Sequence, residues 1–123
     1  MKRELLQNVK VAPYENGDVI DRENLLSMVF AAKITTAGAL TLSVTDSDTA
    51  SGTYEAVNDT RIAPNEGIIT NGVISFAAKL GDIINVDIDL LGCKRYVIIT
   101  ASGAAAADVE LAYAIGDAGY APV

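Results

Sequence analysis

Histidine and tryptophan are absent from this chain of 123 residues, cysteine occurs once, and only 6% of the residues are aromatic. The missing histidine removes the commonest general base near neutral pH and the commonest metal ligand. This argues against an enzyme, and we predict no catalytic residue, no metal and no cofactor. The single cysteine, Cys93, excludes an intrachain disulfide. Glycine-rich phosphate-binding motifs are missing too, so nucleotide binding has no support.

Positive charge is also scarce, because 9 Lys and Arg residues stand against 16 Asp and Glu residues and give a net charge of −7. The cations are spread along the chain and form no basic stripe. This argues against binding to nucleic acid or to an anionic membrane. The N-terminal residues have no apolar signal core, and no uncharged run reaches the roughly 20 residues of a membrane helix. We therefore expect the protein to be made and folded in a reducing cytoplasm.

Half of the residues are hydrophobic, and they are mainly Ala, Val, Ile and Leu. Such a core of small and β-branched side chains favours sheets, and the length suits one domain. Residues 25–33 form an apolar run that fits helix or strand, and we favour strand because clear β patterns follow it. Residues 40–45 and 84–90 alternate between apolar and polar side chains, as strands with one buried face do. Asn71-Gly72, between two apolar runs, predicts a type I′ hairpin.

Further strands are predicted at 53–57, 95–102 and 108–115, and residues 59–65 are predicted to be a loop. The spacing indicates a single all-β domain over residues 21–123, either a β-sandwich or a jelly-roll-like barrel of seven or eight short antiparallel strands. Residues 1–20 are predicted to be a partly extended N-terminal arm, with a short edge strand near residues 9–11.

Three groups of residues are compared with chemical sites. Asp46 and Asp48 begin a segment that partly resembles a calcium loop, but an ordinary hairpin loop explains them better, because the glycine of the calcium motif is missing. Cys93 lies next to a lysine, which can activate a thiol, yet no histidine is there to act as base. We interpret it as a small turn residue.

The third group is Asn85, Asp87 and Asp89, which share one face of a predicted strand. Two carboxylates at this spacing could hold a cation or act as an acid and base pair. The simpler interpretation is the solvated face of an amphipathic strand.

Lys94 and Arg95 are adjacent in this acidic chain and are the only cations after Lys79. If residues 83–90 and 95–102 form a hairpin, Asp89 lies opposite Arg95 and the two charges stabilise each other. The alternative is that Lys94 or Arg95 contacts a partner chain, because Arg is enriched at interface centres.

The order of several short motifs resembles small virion proteins of tailed bacteriophages and prophages, whose genes commonly lie near the major capsid gene. In those proteins a strand ending in an "sDd" loop, an "f-x-x-V" strand and a "G-x-K-R-Y-V" strand follow one another. The matching positions here are Ser47-Asp48, Tyr54 to Val57 and Gly92 to Val97, and the resemblance spans residues 19–122. The relatives often continue "RYVR", whereas this chain has Ile98 in place of the second arginine.

The resemblance implies a capsid decoration, or cement, protein that binds the major capsid protein on the outside of the assembled head, with a homotrimer as the expected assembly. The predicted arm would then reach neighbouring capsomers, and its candidate contact residues are Lys2, Arg3, Leu5 and Leu6. An acidic protein fits the shell exterior, where it does not face packaged DNA. The alternatives are a neck, tail or fibre-base component of the virion and a β-sandwich module that binds a host surface or a glycan.

Overall fold

A computed structural model describes residues 9–23, 25–65 and 67–118 of the chain. These residues form eleven β-strands and two short 3₁₀ turns, and all strand pairs are antiparallel. In chain order the strands are β1 (Lys10–Tyr14), β2 (Val19–Asp21), β3 (Leu25–Lys33), β4 (Gly38–Ser47), β5 (Glu55–Ala56), β6 (Ile62–Pro64), β7 (Ile68–Thr70), β8 (Val73–Ala78), β9 (Ile83–Asp89), β10 (Tyr96–Ser102) and β11 (Glu110–Ala118). The 3₁₀ turns span Asp59–Arg61 and Ala104–Ala106.

The strands form two sheets. Sheet A has the order β1-β11-β3-β9-β6, and sheet B has the order β2-β10-β4-β8-β7, with β5 pairing to β4. Each sheet keeps two edge strands, so the architecture is an open β-sandwich and not a closed barrel. This confirms the all-β prediction.

The core lies between the inner faces of the two sheets. The alternation predicted for β4 and β9 is confirmed, because the inward side chains are buried: Leu40, Leu42, Val44, Ile84, Val86 and Ile88. Burying an aliphatic side chain of this size contributes about 1.5–3 kcal/mol to folding. The core is therefore built mainly from aliphatic side chains, as expected for a sequence with few aromatic residues.

Strand β3 explains why residues 25–33 are apolar except at Ser27 and Lys33. Its inward side chains, Met28, Phe30 and Ala32, are buried in the core. Its outward positions include Val29 and Ala31, which are small and apolar although they face away from the core. Because both faces of β3 carry apolar side chains, its sequence alone fits a buried helix as well as a strand.

The predicted hairpin at Asn71-Gly72 is confirmed by the pairing of β7 with β8. Asn71 has φ 51° and Gly72 has φ 76°, and a type I′ turn needs positive φ at both central residues. Gly72 also lies close to neighbouring backbone, since a Cβ there would be 3.0 Å from the Val57 carbonyl oxygen.

The predicted N-terminal arm is corrected over its described part. Strand β1 is the edge of sheet A, where the predicted edge strand is confirmed, and β2 is the edge of sheet B. Tyr14 and Ile20 are buried, so residues 10–21 belong to the sandwich and the predicted boundary at residue 20 falls within β2. Lys2, Arg3, Leu5 and Leu6 lie outside the described residues.

Two further predictions were wrong. Residues 59–65 are not only loop, because Ile62 is buried and β6 pairs with β9. Strands β9 and β10 do not form a hairpin, because β9 belongs to sheet A and β10 to sheet B. The segment between them, residues 90–95, crosses from one sheet to the other at one end of the sandwich.

Candidate partner-contact site

The crossing segment 90–95 carries Lys94 and Arg95, and backbone bonds fix its shape. The Leu90 N–H donates to the Leu26 carbonyl at 2.8 Å, and the Cys93 N–H donates to the Leu90 carbonyl at 2.9 Å. The Asp89 carboxylate accepts the Leu91 N–H at 3.0 Å, as aspartate does in many turns. The segment is therefore a defined turn that presents its side chains in fixed directions.

The Arg22 guanidinium binds the carbonyl groups of this turn. It donates to the Cys93 carbonyl at 2.6 and 3.1 Å, to the Lys94 carbonyl at 3.1 Å and to the Leu25 carbonyl at 3.3 Å. Several fixed donors on one planar group suit several converging acceptors, which a lysine could not match. Arg22 thus holds the turn against the segment that joins β2 to β3.

The Asp46 carboxylate binds the same turn from β4. Its Oδ2 atom accepts the Lys94 N–H at 2.9 Å, and the residue is 9% exposed. The Lys94 ammonium lies 3.8 Å from a carboxylate oxygen of Glu55 on β5. Both the backbone and the side chain of Lys94 are therefore engaged within the chain.

Arg95 forms an internal ion pair, but its partner is Asp21 and not Asp89. Its Nε and Nη2 atoms donate to the two carboxylate oxygens of Asp21, each at 2.9 Å. The guanidinium carbon also lies 5.1 Å from the ring centre of Tyr96. The predicted pair with Asp89 does not form, because β9 and β10 lie in different sheets and β2 is the neighbour of β10 beside Arg95.

This ion pair shifts both pKa values in the stabilising direction. The Arg95 hydrogen bonds lower the pKa of Asp21 below its ordinary value, and the same bonds raise the pKa of Arg95. About half of the Arg95 side chain (56%) remains exposed. Arg95 can therefore contact a partner with its free surface while it remains bound to Asp21.

Arg61 is a further contributor that the sequence patterns did not indicate. Its guanidinium donates to the Leu91 carbonyl and lies close against Gly92. Gly92 has φ 83°, and a Cβ added there would lie 2.7 Å from an Arg61 nitrogen. The first residue of the "G-x-K-R-Y-V" motif is therefore glycine for two reasons: the backbone has a positive φ there, and Arg61 leaves no space for a side chain.

Among the residues that bind this turn, Asp46 could have been predicted from the sequence. Leu40, Leu42 and Val44 alternate inward along β4, and the same alternation places Asp46 in the inward row, where a carboxylate requires a partner. The sequence did not indicate Arg22 or Asp21, because the Cys93 and Lys94 carbonyls that Arg22 binds, and the Arg95 side chain that Asp21 binds, lie more than 70 positions away in the chain.

The other candidate sites have these positions. Cys93 is buried, its thiol donates to the Asp89 carbonyl at 3.5 Å, and burial raises its pKa, with Asp46 adding to the effect. Its thiol is therefore protonated and shielded near neutral pH. Asn85, Asp87 and Asp89 are exposed on the outer face of β9.

Within residues 9–23, 25–65 and 67–118, no group of three or more His, Cys, Asp or Glu side chains is placed to hold a metal ion. The same ranges contain no helix that is long and apolar enough to cross a membrane.

The three segments that carry the phage resemblance meet at this end of the sandwich. Ser47 pairs with Tyr96 across β4 and β10, and Asp46 pairs with Glu55 across β4 and β5. With the Lys94 contacts to Asp46 and Glu55, the segments bind one another directly. Comparison with known proteins gives no further guide, since no family model, curated protein or solved structure matches the chain.

Proposed function

We propose that this protein is a structural component of a tailed-phage virion, a decoration protein that binds the major capsid protein on the outside of the assembled head. One observation carries the proposal. The three motifs that resemble those virion proteins, far apart in the sequence, lie together in the fold, where Ser47 pairs with Tyr96 across two strands and Lys94 forms an ion pair with Glu55. Contacts among the three motifs give a structural reason for all three to occur together in one protein.

The role that we propose is binding without catalysis. Lys94, Arg95 and their partners Glu55 and Asp21 are used to stabilise a turn, and Cys93 is shielded. The net charge of −7 suits the exterior of a shell, away from packaged DNA and from anionic membranes. We propose a homotrimer as the assembly, since closed symmetric oligomers match the symmetry axes of a shell.

The experiment is quantitative mass spectrometry of purified particles from the source phage or the induced prophage. We expect a copy number comparable to that of the major capsid protein, because a decoration protein covers the whole shell. A few copies per particle would instead indicate the neck, tail or fibre base. Absence from the particle would overturn the virion role and leave a host- or glycan-binding module as the alternative.

A further inference from the structure

The outer face of sheet A has an unusual surface where β1, β11 and β3 lie side by side. Six outward residues form it, and we name it the small-residue face: Val11, Pro13, Val29, Ala31, Ala112 and Ala114. The strand alternation places them outward, because the neighbouring positions along β3 and β11 are buried in the core. Val11 is 76% exposed and Val29 is 42% exposed.

The water-facing side of an antiparallel sheet normally carries polar side chains. The small-residue face has no charged side chain and none larger than valine. Val29 and Ala114 of this face, together with Val9, line a shallow apolar groove. From the strand spacing and rise, the whole outer face of sheet A covers about 600 Å², below the roughly 800 Å² per partner of a stable interface, and the small-residue face is only part of that area.

Carboxylates border this face on β9. Asp87 lies directly opposite Val29 in the pairing of β3 with β9, and its carboxylate has no hydrogen bond or ion pair within the described ranges. Asp87 and Asp89 line a second shallow groove next to the first, together with Arg61, whose guanidinium is bound to the Leu91 carbonyl. A surface that covers both grooves therefore meets apolar side chains in the first and, in the second, one carboxylate, that of Asp87, to which a cation can bind.

The outer face of sheet B differs in chemistry. Its central strands carry hydroxyl side chains, and the Thr41 and Ser102 hydroxyls are hydrogen-bonded to each other across β4 and β10. Thr100 is exposed on the same face. Such a face is well hydrated, and it supplies matched control positions.

We propose that the small-residue face and Asp87 dock onto a polypeptide surface that presents apolar side chains next to Lys or Arg. The inference rests on the proposed function, under which that surface belongs to the major capsid protein. In the proposed complex, water is excluded from the apolar surface of β3 and β11, and Asp87 forms one ion pair with the partner. The acidic border selects a cationic partner and disfavours an identical acidic face.

The test uses shells purified from a phage whose gene for this protein is deleted, mixed with purified protein and pelleted. The bound copies are counted for wild type, Val29→Lys, Asp87→Asn and the control Thr100→Lys. Val29→Lys places a cation on the face, and because it lies opposite Asp87 it satisfies that carboxylate within the chain. Circular dichroism checks that each variant is folded, and sedimentation measures its mass in solution. If Val29→Lys does not fold, Val11→Lys on the edge strand β1 is used in its place.

We expect Thr100→Lys to bind like wild type and Val29→Lys to bind at least about tenfold more weakly. Asp87→Asn should also bind more weakly, and its binding should depend less on salt concentration. Equal binding of Val29→Lys and Thr100→Lys would overturn the inference and leave the proposed function intact. If Val29→Lys forms a smaller oligomer than wild type, the inference is also overturned, because the face then mediates contact between copies of this protein. If wild type does not bind the shells, both the proposed function and the inference fail.

Discussion

The side-chain amide of Asn16 pairs with the backbone of Ala101 as a neighbouring strand would. Its Nδ2 donates to the Ala101 carbonyl at 2.8 Å, and its Oδ1 accepts the Ala101 N–H at 2.7 Å. Two residues away, the Tyr14 hydroxyl accepts the Ile99 N–H at 3.0 Å. These contacts lie along β10 beyond the three residues that pair with β2, so backbone groups that no strand pairs on this side are hydrogen-bonded by side chains.

We expect Asn16→Ala to lower the free energy of unfolding by about 1–3 kcal/mol, because it leaves both backbone groups of Ala101 without their partner. Chemical denaturation measures the change. Glu15→Ala, at an exposed neighbouring position, is the control and should change stability by less than about 0.5 kcal/mol. Equal effects of the two variants would contradict a pairing role for Asn16.

Tyr14 gives the protein a sensitivity to alkaline pH. Burial raises the pKa of Tyr14 to about 12, so the folded state favours the protonated phenol more than the unfolded state does. This contribution to stability is complete below pH 10 and is lost as the pH rises from 10 to 12. We expect the unfolding free energy of wild type to fall more steeply over that range than that of Tyr14→Phe. Parallel curves for the two proteins would contradict this assignment.

A charge-swap series tests the partner of Arg95. Arg95→Glu places two carboxylates together and should lower the melting temperature slightly, because the site is exposed. Adding Asp21→Arg should restore the melting temperature, whereas adding Asp89→Arg should not. Rescue by Asp89→Arg would contradict the structure.

The same ion pair predicts a behaviour at low pH. Because Arg95 lowers the pKa of Asp21, the stabilising contribution is present above the ordinary carboxylate pKa and is lost as the pH falls through the lowered value. In an NMR titration, we expect the pKa of Asp21 to rise in Arg95→Ala. An unchanged pKa in this variant would argue against the pair.

Arg22→Lys should loosen the turn at residues 90–95, because one ammonium group cannot replace the fork of donors that binds the Cys93, Lys94 and Leu25 carbonyls. We expect a loss of about 1.5–3 kcal/mol in unfolding free energy. The Cys93 thiol, shielded in the wild type, should react faster with an alkylating reagent under native conditions. Arg95→Lys is the control, and its Cys93 should react at the wild-type rate.

The parts of the fold that the sequence predicted are those that depend on near neighbours in the chain. Alternation along residues 84–90 is a local pattern, and Asn71-Gly72 specifies a local turn, so both were predicted correctly. The sheet to which β9 and β10 belong is decided by packing between distant segments. Similarly, Asp21 and Arg95 are 74 positions apart in the chain, and no short pattern couples them. Lys94 and Arg95 are both paired within the chain, but their partners, Glu55 and Asp21, are set by the fold and not by a local pattern.

The edge strands β1 and β2 affect how this protein folds during synthesis. Strands β1 and β2 leave the ribosome first, yet their partners, β11 and β10, are the last strands to be synthesised. The sandwich therefore cannot close on these two edges until translation of the described fold is nearly complete. A topology with so many distant pairings folds over milliseconds to seconds, more slowly than a helical bundle of this size. Until then, the nascent chain carries unclosed sheets that a chaperone can recognise.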